Sequence, residues 1–119
     1  MLNYGHTIGH ALEASTGYAR YAHGEAVALG MVAEARLARR LGIADDETTM
    51  RQQRMLETLG LPVRAPAIEV EPVVSAMARD KKAKDGRVPF VLAPQIGAFR
   101  IVYDVPTTEI RAAIASLAS

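Results

Sequence analysis

The chain has no cysteine at any of its 119 positions. That absence excludes disulfides, thiolate metal sites and a cysteine nucleophile. It also lacks any surplus of one charge: 14 basic against 13 acidic residues leave a formal net charge of +1. A balance of that kind gives no general attraction to nucleic acid or to an anionic membrane, so neither is expected as a partner. No apolar run reaches membrane-spanning length, because the longest, residues 26–33, soon meets Glu34 and Arg36. The N-terminus carries no basic-then-apolar signal pattern, and the expected location is cytoplasmic. A phosphate-cradling glycine loop and a GxGxxG phrase are also missing, so the chain holds no nucleotide fingerprint of its own. It has no internal repeats and no low-complexity tracts.

What is present is concentrated at one end. All three histidines lie within the first 23 residues, in the phrases Asn3-Tyr4-Gly5-His6-Thr7-Ile8-Gly9-His10 and His23-Gly24-Glu25-Ala26-Val27-Ala28. Histidine is the usual neutral metal ligand and is suited to proton transfer near neutral pH. Neighbouring glycines let a substrate or another backbone approach closely. The crowding reads as part of an active site rather than a whole one.

Half the residues are hydrophobic, which fits a single soluble domain spanning residues 1–119. Asn3 is a suitable N-cap for a short helix ending near Gly17, with Ile8, Ala11, Leu12 and Ala14 apolar. A longer helix is expected over residues 25–41, stopped by Gly42. Its first half is apolar on nearly every side and should be buried; its second half turns Leu37 and Leu41 inward and Arg36, Arg39 and Arg40 outward. Asp45 or Asp46 should cap a third helix running to residue 59, with Met50, Leu56 and Leu59 inward and Gly60 as its stop. A short helix over residues 72–79 precedes a charged loop, residues 80–86. Residues 88–92 and 99–103 read as a hairpin. Thr107 or Thr108 should cap a last helix over residues 109–117. The predicted fold class is mainly α, a helical bundle carrying one β-hairpin.

His6 and His10 are four apart, so on a helix they share one face and could meet one ion. His23 at a helix start could complete such a site, or could simply cap the helix. Glu25 could be a ligand, a partner orienting an imidazole, or a favourable first-turn acid, of which the last is preferred. The Asp80-Lys81-Lys82 cluster is either an anion site or a solvated loop.

Four ordered phrases, residues 2–11, residues 23–31, Leu59-Gly60-Leu61-Pro62 and Asp80-Lys81-Lys82, resemble the C-terminal domain of the 3-dehydroquinate synthases. The resemblance implies a two-domain α/β enzyme whose N-terminal domain binds NAD and whose helical C-terminal domain holds metal and substrate. It implies conversion of 3-deoxy-D-arabino-heptulosonate 7-phosphate to 3-dehydroquinate and phosphate, in the shikimate route to aromatic amino acids. It also reassigns the histidines. His6 and His23 become the zinc or cobalt ligands, together with a glutamate from the preceding part of the chain. His10 becomes a catalytic group that touches substrate and helps move protons. Asn3 and a lysine, Lys81 or Lys82 with Lys82 preferred, contact substrate. Since the sequence begins at the metal phrase, the NAD-binding domain and the third ligand are expected to lie outside it. The 119 residues alone are then expected to be catalytically silent and to self-associate. Relatives of the 2-deoxy-scyllo-inosose synthase type are the nearest alternative, followed by iron-type alcohol and glycerol dehydrogenases. A free helical domain that binds metal weakly or mediates assembly is the non-enzyme reading.

Overall fold

The computed structural model describes residues 3–17, 20–83 and 86–119, apart from the side chain of residue 83. Among the described residues, five helices, α1 (His6–Ser15), α2 (His23–Arg40), α3 (Asp46–Thr58), α4 (Val70–Ala83) and α5 (Thr107–Ala115), form a bundle that carries a hairpin of β1 (Phe90–Gln95) and β2 (Ala98–Val102), with a 3-10 turn at Ser116–Ala118. The predicted helical bundle with one hairpin is the observed architecture. No helix among the described residues is long and apolar enough to cross a membrane.

The central element is α2, against which α1, α3, α5 and β1 all pack. Its apolar first half explains this position: Ala26, Ala28, Leu29, Val32 and Ala33 are buried, and small residues let neighbours come close. The closest approach is to α1. A methyl group added at Gly30 would lie 2.1 Å from the Gly5 carbonyl oxygen, and one at Gly9 would lie 2.9 Å from the Ala26 carbonyl oxygen. Gly5 itself sits at φ +80°, a conformation that disfavours side chains. Around this contact Ile8, Leu12, Leu29, Leu37, Phe90, Leu92, Ile114 and Leu117 form the fully buried core.

Several boundaries differ from the sequence-based expectation. The N-cap of α1 is Gly5, not Asn3, and no side chain of its own segment caps it. The backbone must turn through a left-handed glycine to clear α2, and that moves the helix start two residues on. Asp45 caps α3 as expected, accepting the Thr48 N–H at 2.8 Å. However, Met50 and Leu59 are exposed, at 57% and 72%, while Thr49 and Leu56 face inward. Thr49 and Leu56 are seven apart and make one stripe; Met50 lies off it and Leu59 is already past the helix. Arg36 is half-buried rather than outward, donating to Ser116 O at 2.8 Å and Gln53 Oε1 at 3.0 Å.

Helix α4 is longer than expected at both ends and takes in Asp80, Lys81 and Lys82, so these residues are helical and not part of a loop. Lysine is a good helix former and favourable in a last turn. Residues 84 and 85 of the expected loop lie outside the described residues. In the hairpin β1 continues to Gln95, with Phe90 facing Val102 and Gln95 facing Ala98. The connection is therefore only Ile96-Gly97, with Gly97 at φ +86°. Pro94, which has no N–H to donate, falls in the register break between Leu92 and Gln95. Neither Thr107 nor Thr108 caps α5; its N-cap is Pro106, without a side-chain hydrogen bond.

Candidate metal and substrate site

His6 and His23 are the first residues of α1 and α2. The close packing of those helices brings the two rings together, with centroids 5.5 Å apart and planes at 65°. Two imidazoles bound tetrahedrally to one zinc, at Zn–N about 2.0–2.1 Å, have centroids roughly 5 Å apart. The observed spacing thus fits a shared ion. Each ring also has its Nδ1 engaged. That of His6 lies 3.3 Å from the Tyr4 carbonyl oxygen, and that of His23 lies 3.0 Å from Glu13 Oε1. Both partners are acceptors, so in each neutral ring Nδ1 donates and Nε2 keeps its lone pair. Among the described residues no group of three or more histidine, aspartate or glutamate side chains is placed to hold a metal. The pair alone is short of a complete ligand set.

His10 is exposed on α1, one turn beyond His6. Asn3 is also exposed and lines an open hollow with Tyr4, Val91, Phe99 and Ile101. Lys82 is exposed in the last turn of α4. Glu25 acts locally, where its Oε1 accepts the Ala22 N–H at 2.9 Å and closes the start of α2.

The segment bearing Asn3 to His6 is held from several sides. The Tyr4 hydroxyl donates to Gln52 Oε1, and its ring meets Phe99 at a centroid distance of 5.4 Å. Thr7 Oγ1 donates to the Pro89 carbonyl at 2.7 Å. Least expected is Glu34, a fully buried carboxyl in the apolar heart of the molecule. Its two oxygens accept the Gly5 N–H at 3.3 Å and the Ile8 N–H at 3.4 Å. A side chain of α2 therefore caps α1. Burial pushes the Glu34 pKa up to about 8, against the pull of those two N–H groups. Burial, and then the nearby Glu34 charge, push the Tyr4 phenol upward as well.

Sequence reasoning did not single out Glu13 or Glu34. Glu13 lies seven residues after His6, two turns along the same helix face, and that spacing is a legible signal. Glu34 lies four after Gly30, on the face that α1 approaches. Its charge argued for the surface, and only the position of the glycine argued otherwise.

Residues 1–83 match the family described as 3-dehydroquinate synthase C-terminal. A 3-dehydroquinate synthase of Nostoc punctiforme is 46% identical over 112 residues, covering 93% of this chain and 31% of the relative. One from Acidithiobacillus ferrooxidans is 48% identical over 110 residues, covering 92% and 30%. The chain thus spans about a third of the length of these curated relatives. Among solved structures, the 2-epi-5-epi-valiolone synthase ValA of Streptomyces hygroscopicus subsp. jinggangensis, with NAD+ and Zn2+ bound, superposes with TM-score 0.79 at 31% identity over 93% of this chain and 32% of that one. A 2-deoxy-scyllo-inosose synthase complexed with carbaglucose-6-phosphate, NAD+ and Co2+ gives TM-score 0.80 at 24% identity over 95% and 32%, a likeness of fold alone.

Proposed function

Since the chain belongs to the 3-dehydroquinate synthase C-terminal family, we propose that it is the metal- and substrate-holding part of a cytoplasmic 3-dehydroquinate synthase of the shikimate route. The observation that carries this reading is the His6–His23 pair, two helix-start imidazoles at a spacing one ion can bridge. His6 and His23 would hold zinc or cobalt together with a carboxylate from elsewhere in the longer protein. Such an ion supplies Lewis acidity toward a substrate oxygen.

The chain's own residues take the remaining roles. His10 is on the same helix face as His6 and exposed, so it can reach a substrate held beside the metal and move its protons. Asn3 offers an amide that both donates and accepts, which suits a sugar hydroxyl. Lys82 offers an ammonium for the phosphate end. NAD belongs to a domain outside these 119 residues, since the sequence carries no dinucleotide phrase. The half-exposed Phe99 and Ile101 beside Asn3 suit a face that meets that domain or a second copy of the chain.

The test uses the longer protein that contains this chain, supplied with NAD and zinc or cobalt. Phosphate release from 3-deoxy-D-arabino-heptulosonate 7-phosphate is the expected activity. His6→Ala should remove metal and activity together. His10→Ala should keep the metal and lower turnover about a hundred- to ten-thousand-fold. A protein that ignores this substrate but cyclises a hexose phosphate would move the reading to the 2-deoxy-scyllo-inosose synthase type. Loss of metal from His10→Ala would restore the simple His6/His10 ligand pair.

A further inference from the structure

We propose that Glu13 is a positioning residue: it holds His23 in the tautomer and orientation that present Nε2 to the metal. The proposal rests on the functional reading in which His23 is a ligand. It starts from an imbalance between the two partners. The His23 side chain is 67% exposed and would be free to rotate, whereas the Glu13 side chain is only 12% exposed. A carboxylate seated in the body of the protein thus anchors a ring that otherwise stands in water. The 3.0 Å contact is to Nδ1. A carboxylate can only accept there, so the proton of the neutral ring is on Nδ1 and the lone pair on Nε2.

His6 reaches the same tautomer by another route, through the carbonyl oxygen of Tyr4. That acceptor belongs to the backbone and is fixed once Gly5 has turned the chain. His23, at the start of α2, has its Nδ1 bond to a side chain on a different helix. Its orientation therefore depends on one replaceable group. Metal-bound histidines commonly need such a partner, and its loss typically costs about 10- to 100-fold in metal affinity. A purely structural ion pair on so exposed a ring would contribute little to stability and would leave metal affinity untouched.

Two measurements on the longer protein that contains this chain decide the matter. The first is the tautomer of His23 by long-range 1H–15N correlation in 15N-histidine-labelled protein, with the His23 signals assigned by their loss in His23→Ala. The spectra are taken at about pH 8.5, above the usual imidazole range. The wild type should show His23 protonated on Nδ1, and Glu13→Ala should move the proton to Nε2. Glu13→Gln keeps a carbonyl acceptor and should hold the Nδ1–H form, which separates the loss of the bond from a loss of folding. The second measurement is Co2+ affinity by titration of its absorption. It should fall about 10- to 100-fold in Glu13→Ala and less in Glu13→Gln. An Nε2-protonated His23 in the wild type overturns the proposal. So does unchanged Co2+ affinity in Glu13→Ala when His23→Ala weakens binding. If His23→Ala itself leaves Co2+ binding intact, the metal reading fails and the positioning role fails with it.

Discussion

Between α1 and α2 the backbones approach until a single methyl group has no room, whereas along α3 the side chains of Met50 and Met55 stand more than half exposed. Both regions contain long stretches of good helix formers, and both helices rest on α2. The difference lies in what fixes them. Helix α1 is located by atoms that cannot yield: the Gly5 carbonyl against Gly30, the Ala26 carbonyl against Gly9, and the Glu34 carboxyl against two N–H groups. Helix α3 is located by one buried leucine, one threonine, a good N-cap and side-chain hydrogen bonds to Gln52 and Gln53, all but the first of which can adjust by rotating side chains. The His6–His23 pair is on the first kind of contact, where a shift of a few tenths of an ångström cannot be absorbed by side-chain rotation. Precision of placement and intolerance of substitution have the same cause here.

The largest effect should come from breaking the tight contact at its narrowest point. A Cβ at Gly30 would sit 2.1 Å from the Gly5 oxygen, and the obstacle is backbone, which cannot swing aside. Gly30→Ala must displace the start of α1 and should cost about 3 kcal/mol or more, at or beyond the usual range for overpacking. Urea unfolding measures it. The His6–His23 ring spacing should widen in the same variant, visible as weakened Co2+ binding. A variant as stable as the wild type would mean that the α1–α2 contact is softer than the distances indicate.

A second, smaller effect sharpens the comparison electrostatically. Glu34 has its pKa raised to about 8 in the folded protein from an ordinary value near 4.5. The folded state therefore binds this proton more tightly than the unfolded state. The stability that follows is fully present below about pH 4.5 and is lost as the pH rises toward 8. Glu34→Gln exchanges one acceptor for a donor beside two N–H groups. It should cost about 1–3 kcal/mol at pH 6, and it should abolish the slope, so that the gap to the wild type narrows by pH 9. Denaturation curves at several pH values test this. Parallel wild-type and variant profiles would show that Glu34 does not titrate in the folded protein.

The same contrast explains what the sequence made legible. The bundle, the hairpin and the burial of the first half of α2 follow from apolar periodicity, and two dense histidine–glycine phrases point to the candidate site, where the His6 and His23 rings do lie together. What escaped depends on packing between segments far apart in the chain. Glu34 ends the apolar run, and a carboxylate at such a point ordinarily marks a surface; it is buried because α1 brings N–H donors to it. Asp80-Lys81-Lys82 reads locally as a solvated loop, but α4 packs on α1 and α5 and its helix continues through the charges. Met50 and Leu59 read as inward because they are apolar, yet Leu56 and Thr49 already fill the narrow stripe that α2 can cover.

The smallest effect belongs to that outer surface. Met55 is 53% exposed and Leu59 72% exposed, in a shallow hollow with Arg51, Arg54 and Thr58. Truncation there removes little buried area, so Met55→Ala and Leu59→Ala should each change stability by no more than about 0.5 kcal/mol. Alanine is also the better helix former, which offsets part of any loss at Met55. The outcome that would break the comparison is a loss above about 1 kcal/mol, or one that grows with protein concentration. The latter would mean that the side chains are exposed only in the single chain and are covered when copies associate. Sedimentation of the two variants beside the wild type separates these cases, since a surface that matters only to the monomer leaves the mass distribution unchanged.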